Sequence, residues 1–77
     1  MNAEDIVARI LAAIPGARIE TEGSDCSFSV RVVSQVFEGQ NLLQRQRPIL
    51  ALFKEEISAG TLHALSIDAK TPDEAAS

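Results

Sequence analysis

Tryptophan and tyrosine are absent from this chain of 77 residues, cysteine and histidine occur once each, and acidic residues outnumber basic ones by 11 to 7. Without large polar aromatics, the core must be Ile, Leu, Val and Ala packed around Phe28, Phe37 and Phe53. A single cysteine excludes an internal disulfide, which suits a reducing cytosol and predicts a cytoplasmic protein. No stretch approaches the roughly 20 apolar residues of a membrane span, and no basic-then-apolar leader opens the chain. A net charge of −4 argues against general attraction to nucleic acid, whose binders carry a basic footprint. One histidine leaves no nucleophile–base–orienter set, so no enzymatic activity is expected. Glu55 and Glu56 are adjacent, hence on different flanks of a helix, and are expected to face water.

What remains predicts one small domain over residues 1–77, with an ordered core over 2–70. Asn2 is a candidate N-cap, Glu4 and Asp5 suit a first helical turn, and Ile6, Ile10 and Ile14 recur every four residues before Pro15-Gly16 ends the helix. Arg18–Glu22 and Ser27–Val33 predict an antiparallel hairpin joined by the polar turn Gly23-Ser24-Asp25. Phe28, Val30 and Val32 share one face of the second strand, and Ser27, Ser29 and Arg31 the other. After a turn over Phe37–Asn41 and a short turn through Leu42-Leu43-Gln44, Pro48 is placed at the first position of the main helix. Ile49, Leu52, Phe53 and Ile57 form its apolar face, and Gly60 its stop. Leu62–Lys70 is the last strand. Strand–helix–strand is a crossover unit, so this strand should run parallel to the second. Thr71, Pro72 and Glu74 spell a capping box, but residues 71–77 leave room only for a short, frayed turn.

The topology bears on chemistry. Cys26 and His63 each precede one of the two parallel strands, in phase with those strands' large apolar residues, so neighbouring strands set both at one end of one face. A thiolate and an imidazole are half of a metal site, because tetrahedral zinc and iron–sulfur clusters take four such ligands. If the pair binds metal, a partner brings the rest. The ordinary alternative is a small apolar cysteine and a hydrogen-bonded histidine at a core edge. Arg45 and Arg47, with Arg31, form a small basic spot whose ordinary reading is a solvated face or structural ion pairs.

Together Phe28–Ser34, Phe37-Glu38-Gly39, Leu42–Arg45, Arg47, His63–Ile67 and Thr71-Pro72 resemble the BolA family over Ile6 to Glu74. The resemblance implies an α+β fold like a type II KH domain: a three-stranded mixed sheet with helices on one face, in the order α-β-β-α-β. It also implies pairing with a monothiol glutaredoxin and a shared, bridging [2Fe–2S] cluster, none being expected in the isolated chain. The family's histidine ligand falls on His63 and the loop cysteine of one branch on Cys26. The glutaredoxin cysteine and glutathione would be the other ligands. Alone, the chain is expected to be a monomer or weak homodimer. The rival implication is a stress-response transcriptional regulator binding nucleic acid weakly, with Arg45 and Arg47 as contacts; no Gly-x-x-Gly clamp of the KH type is present. Many relatives read Arg-His-Arg where this chain has Arg45-Gln46-Arg47, and carry an aromatic where Ala75 stands.

Overall fold

The computed structural model of the chain describes residues 1–24 and 26–76; part of the expected Gly23–Asp25 turn and the last tail residue therefore lie outside the described residues. Helix α1 (Ala3–Ala13) starts where the Asn2 side chain accepts the Asp5 amide at 2.9 Å, with Glu4 and Asp5 in its first turn. Its Ile6 and Ile10 are fully buried. Strand β1 (Arg18–Ser24) runs past the expected end at Glu22, taking Gly23 and Ser24 into the ladder rather than the turn, and pairs antiparallel with β2 (Ser27–Val33), Arg18 opposite Val33 and Ser24 opposite Ser27. Strand β3 (Ala64–Lys70) lies on the other side of β2 and runs parallel to it, Ser27 opposite Ala64. The sheet order is β1-β2-β3.

Burial alternates along β2 as its period of two requires: Phe28, Val30 and Val32 are buried and Ser27, Ser29 and Arg31 exposed. The buried side meets Ile6 and Ile10 of α1, Ile49, Phe53 and Leu62, leaving the opposite sheet face open. Phe28, Phe37 and Phe53 all enter this core, as the scarcity of aromatics predicts. Fully buried Ile, Leu or Phe side chains are worth about 1.5–3 kcal/mol each, against about 0–1 kcal/mol for a surface ion pair. The core holds the fold.

Four expectations need correction. Helix α2 (Leu42–Ala51) begins at Leu42 and contains Pro48 in its interior. Asn41 and Gln44 explain the early start: each side chain bonds the other's backbone at 2.9 Å, a capping box that supplies two orphan helix-end partners. Pro48, beyond the first turn, cannot donate to the Gln44 carbonyl, and a proline ring in a helix interior also crowds the carbonyl four residues back. The helix breaks before α3 (Lys54–Ala59), which ends at Gly60 in a left-handed conformation with φ +80°. That break shifts the helical phase, so Ile57 is 40% exposed and Glu56 turns inward to Arg9, the reverse of the expected faces. Leu62 lies outside β3 and is fully buried, because the chain turns through it before the strand starts. The tail is α4 (Pro72–Ala76), held by reciprocal Thr71–Glu74 bonds and by Arg45.

Candidate metal half-site

Cys26 sits between the hairpin turn and β2, and it is exposed. The hairpin is tight at its root: Gly23 has φ +104°, and a Cβ there would run into the Ser27 carbonyl oxygen. The Cys26 carbonyl accepts two amides from the other strand's entrance, His63 N–H at 2.6 Å and Ala64 N–H at 3.0 Å. The parallel ladder thus opens by tying the backbones of the two candidate ligands together. His63 is exposed as well, and among the described residues neither its imidazole nor the Cys26 thiol has a hydrogen-bond partner.

His63 is anchored from its other neighbour. Leu62 is buried and its amide donates to the Glu56 carbonyl at 3.1 Å. The Glu56 carboxylate takes two bonds from Arg9, at 2.6 and 2.7 Å, and the same guanidinium donates to the Leu52 carbonyl and lies 5.5 Å from the Phe53 ring centre. Hydrogen bonding to Arg9 is the main cause that holds the Glu56 carboxyl below its ordinary range. The Leu52 carbonyl is one that the α2–α3 break frees, so Arg9 satisfies an orphan acceptor and fixes the segment leading to His63.

Adjacent strands lie about 4.8 Å apart, so an exposed thiol and an exposed imidazole at two such strand entrances can meet one small multinuclear ligand. Among the described residues no group of three or more His, Cys, Asp or Glu side chains is placed to hold a metal ion. The donor set suits soft, thiolate-preferring centres such as zinc or iron–sulfur clusters, with two positions left for other molecules.

The basic spot does not assemble. Arg31 lies on the open sheet face and pairs with Asp68 at 3.2 Å, away from α2. The Arg45 side chain is only 12% exposed and its guanidinium is spent inside the fold, on the Gln40 and Ala69 carbonyls, on Glu74 and near the Phe37 ring. Of the two arginines on α2, only Arg47 is exposed. Sequence reasoning missed two residues: Arg9, and Gln46, whose side-chain amide donates to the Ile67 carbonyl at 3.2 Å. Neither was visible from local pattern, since their partners lie 43–47 and 21 residues away.

This architecture, a parallel strand added to an antiparallel hairpin with helices on one face, is an α+β fold of known type. A family model described as BolA-like protein matches residues 11–74, and the chain belongs to that family. A relative from Acinetobacter guillouiae, the protein of the rpoN-murA intergenic region, is 34% identical over 96% of this chain and 89% of its own length. Chloroplastic BOLA1 of Arabidopsis thaliana is 52% identical over 65% of this chain, which spans only 31% of that longer protein. The solved bolA protein homologue of Coxiella burnetii superposes with a TM-score of 0.83 and 29% identity, covering 100% of this chain and 99% of that one. No described helix is long and apolar enough to cross a membrane.

Proposed function

We propose that the chain is a cytoplasmic adaptor in iron–sulfur cluster assembly, trafficking or iron sensing, donating Cys26 and His63 to a [2Fe–2S] cluster shared with a monothiol glutaredoxin. The observation that carries this reading is the bond of the Cys26 carbonyl to the His63 amide, with both side chains exposed and, among the described residues, unpartnered. A cluster, when bound, would supply an electrophilic, exchangeable iron centre. The chain's own part is to hold two donors at fixed spacing and to leave the other coordination positions open. Imidazole is a ligand that a proton can displace, so this half of the site suits release or sensing better than storage. The glutaredoxin cysteine and glutathione would complete the set, as the family resemblance implies. The internal engagement of Arg45 weighs against the nucleic-acid reading, which is left with Arg47.

The test mixes the chain with a monothiol glutaredoxin, glutathione, iron and sulfide and follows visible absorption and circular dichroism. The mixed complex should give a spectrum distinct from that of the glutaredoxin homodimer. His63→Ala should abolish the distinction, and Cys26→Ser should weaken it, while protein–protein contact survives both. A spectrum that neither substitution changes would remove both residues from the site.

A further inference from the structure

On the reading that His63 is a ligand, we propose that Arg9 is its positioning residue, holding the histidine at the mouth of β3 through Glu56 and the backbone of Leu62. Three successive amides bracket His63. Those of His63 and Ala64 donate to the Cys26 carbonyl on the hairpin side, and that of Leu62 donates to the Glu56 carbonyl on the α3 side. Two supports therefore set the direction in which the imidazole leaves the backbone, and only one of them is the sheet.

The other support, α3, has little of its own to hold it. It is six residues long, has no buried residue and has no side-chain cap at Phe53. A helix of that length is not stable by itself in water, so what fixes it reaches in from outside. Among the described residues, the side-chain bonds that join α3 and the residues before it to another element come from Arg9. Its guanidinium donates to the two Glu56 carboxylate oxygens at 2.6 and 2.7 Å and to the Leu52 carbonyl at 3.2 Å. The arm has a firm base, because Ile6 and Ile10 of α1 are fully buried.

Glu56 joins the two halves of the path: its carboxylate meets Arg9 and its carbonyl meets the Leu62 amide. Burial is non-directional, so the packed Leu62 side chain fixes where the chain passes. A hydrogen bond is directional, so the Leu62 amide fixes how the chain is turned as it enters His63. Arginine suits this task, since its planar fork meets a carboxylate with two parallel bonds where lysine offers a point charge.

Two measurements on the full chain test this. Without a cluster, amide order parameters at Leu62 and His63 should fall from a rigid value of about 0.85 towards 0.6 in Arg9→Gln and in Glu56→Gln, with those of β2 unchanged. Arg9→Lys, which keeps the charge and loses the fork, should lie between. In the mixed complex with a monothiol glutaredoxin, Arg9→Gln should release iron to a chelator roughly fivefold faster than wild type, as for loss of a partly exposed ion pair. In a His63→Ala chain the same change should add nothing, because residues acting through one another are not additive. Order parameters equal in wild type and both variants, or a release rate that Arg9→Gln raises as much without His63 as with it, would overturn the role of Arg9 alone. Release from His63→Ala at the wild-type rate would overturn the ligand reading and the role of Arg9 with it.

Discussion

Replacing Gly23 by alanine should loosen the hairpin that presents Cys26, and by more than alanine costs at any other positive-φ glycine of the chain. Two effects coincide there. The backbone has φ +104°, and an added Cβ would meet the Ser27 carbonyl oxygen, with the Phe28 Cα 3.1 Å away. Both obstacles are backbone, so neither can swing aside as a side chain would. Gly39 is the internal control: its φ is +77°, but an added Cβ meets nothing within 4 Å. Left-handed strain alone costs about 1–2 kcal/mol, which is the whole effect expected for Gly39→Ala. At Gly23 a forced close approach adds about 1–3 kcal/mol, the usual range for overpacking. For a domain of this size each kcal/mol lowers Tm by roughly 4–8 °C, so Gly23→Ala should melt roughly 5–20 °C below Gly39→Ala. Far-ultraviolet circular dichroism is the assay of choice, since the chain has no tryptophan or tyrosine to report by fluorescence. Because the Cys26 carbonyl binds the His63 and Ala64 amides, the same variant should also impair the proposed cluster sharing with a glutaredoxin. Coincident melting of the two variants would refute the reasoning, as it would mean that β1 and β2 do not approach so closely.

Two further outcomes follow from the far end of the sheet. Glu74 has its carboxyl lowered from 4.5 to about 2, first by hydrogen bonding to Arg45 and then by the Thr71 backbone. A carboxyl depressed in the folded state stabilises above its unfolded value and loses that contribution as pH falls through the folded one. Urea midpoints should therefore show Glu74→Gln less stable than wild type near neutrality, the gap closing between pH 4.5 and about 2; a gap that persists unchanged into acid would contradict the pairing. Gln46→Leu should cost about 0.5–1.5 kcal/mol in urea denaturation by leaving the Ile67 carbonyl without its donor. Gln46→His, which returns a ring N–H, should regain most of that loss, and equal stability of all three chains would remove Gln46 from the edge.

The strands were legible because their signal is local and redundant. Phe28, Val30 and Val32 alternate with Ser27, Ser29 and Arg31, and Leu65, Ile67 and Ala69 stay in phase with them through the parallel register. The parallel direction itself followed from the length and apolar stripe of the intervening segment. The helices after Gly39 were less legible, because two local rules conflict there. Pro48 favours a helix start, yet Asn41 and Gln44 form a capping box seven and four residues earlier, and the helix starts there and runs through the proline. The α2–α3 break had no comparable mark in sequence. It is stabilised by Arg9, which reaches across from α1 to the Leu52 carbonyl and to Glu56, and such a long-range partner is invisible to periodicity.

That same distant contact bears on how the proposed site of two side chains would have a defined geometry. Cys26 and His63 are exposed, and among the described residues their tips have no hydrogen-bond partner, as the proposed ligand role requires. Tips without partners would ordinarily leave their loops free to wander, raising the entropic cost of every binding event. Here the constraint is placed on the backbone. One carbonyl of Cys26 binds two amides of the opposite strand, Leu62 is buried beside His63, and the Glu56 carbonyl that receives the Leu62 amide belongs to the residue clamped by Arg9. The donors can therefore stay chemically available while their separation is set by the sheet. The departures from the family pattern fall elsewhere: Gln46 supplies an edge donor on β3, and α4 is held by Arg45 and Thr71 in place of an aromatic. Both positions lie at the β3 edge and the sheet's far end, away from Cys26 and His63.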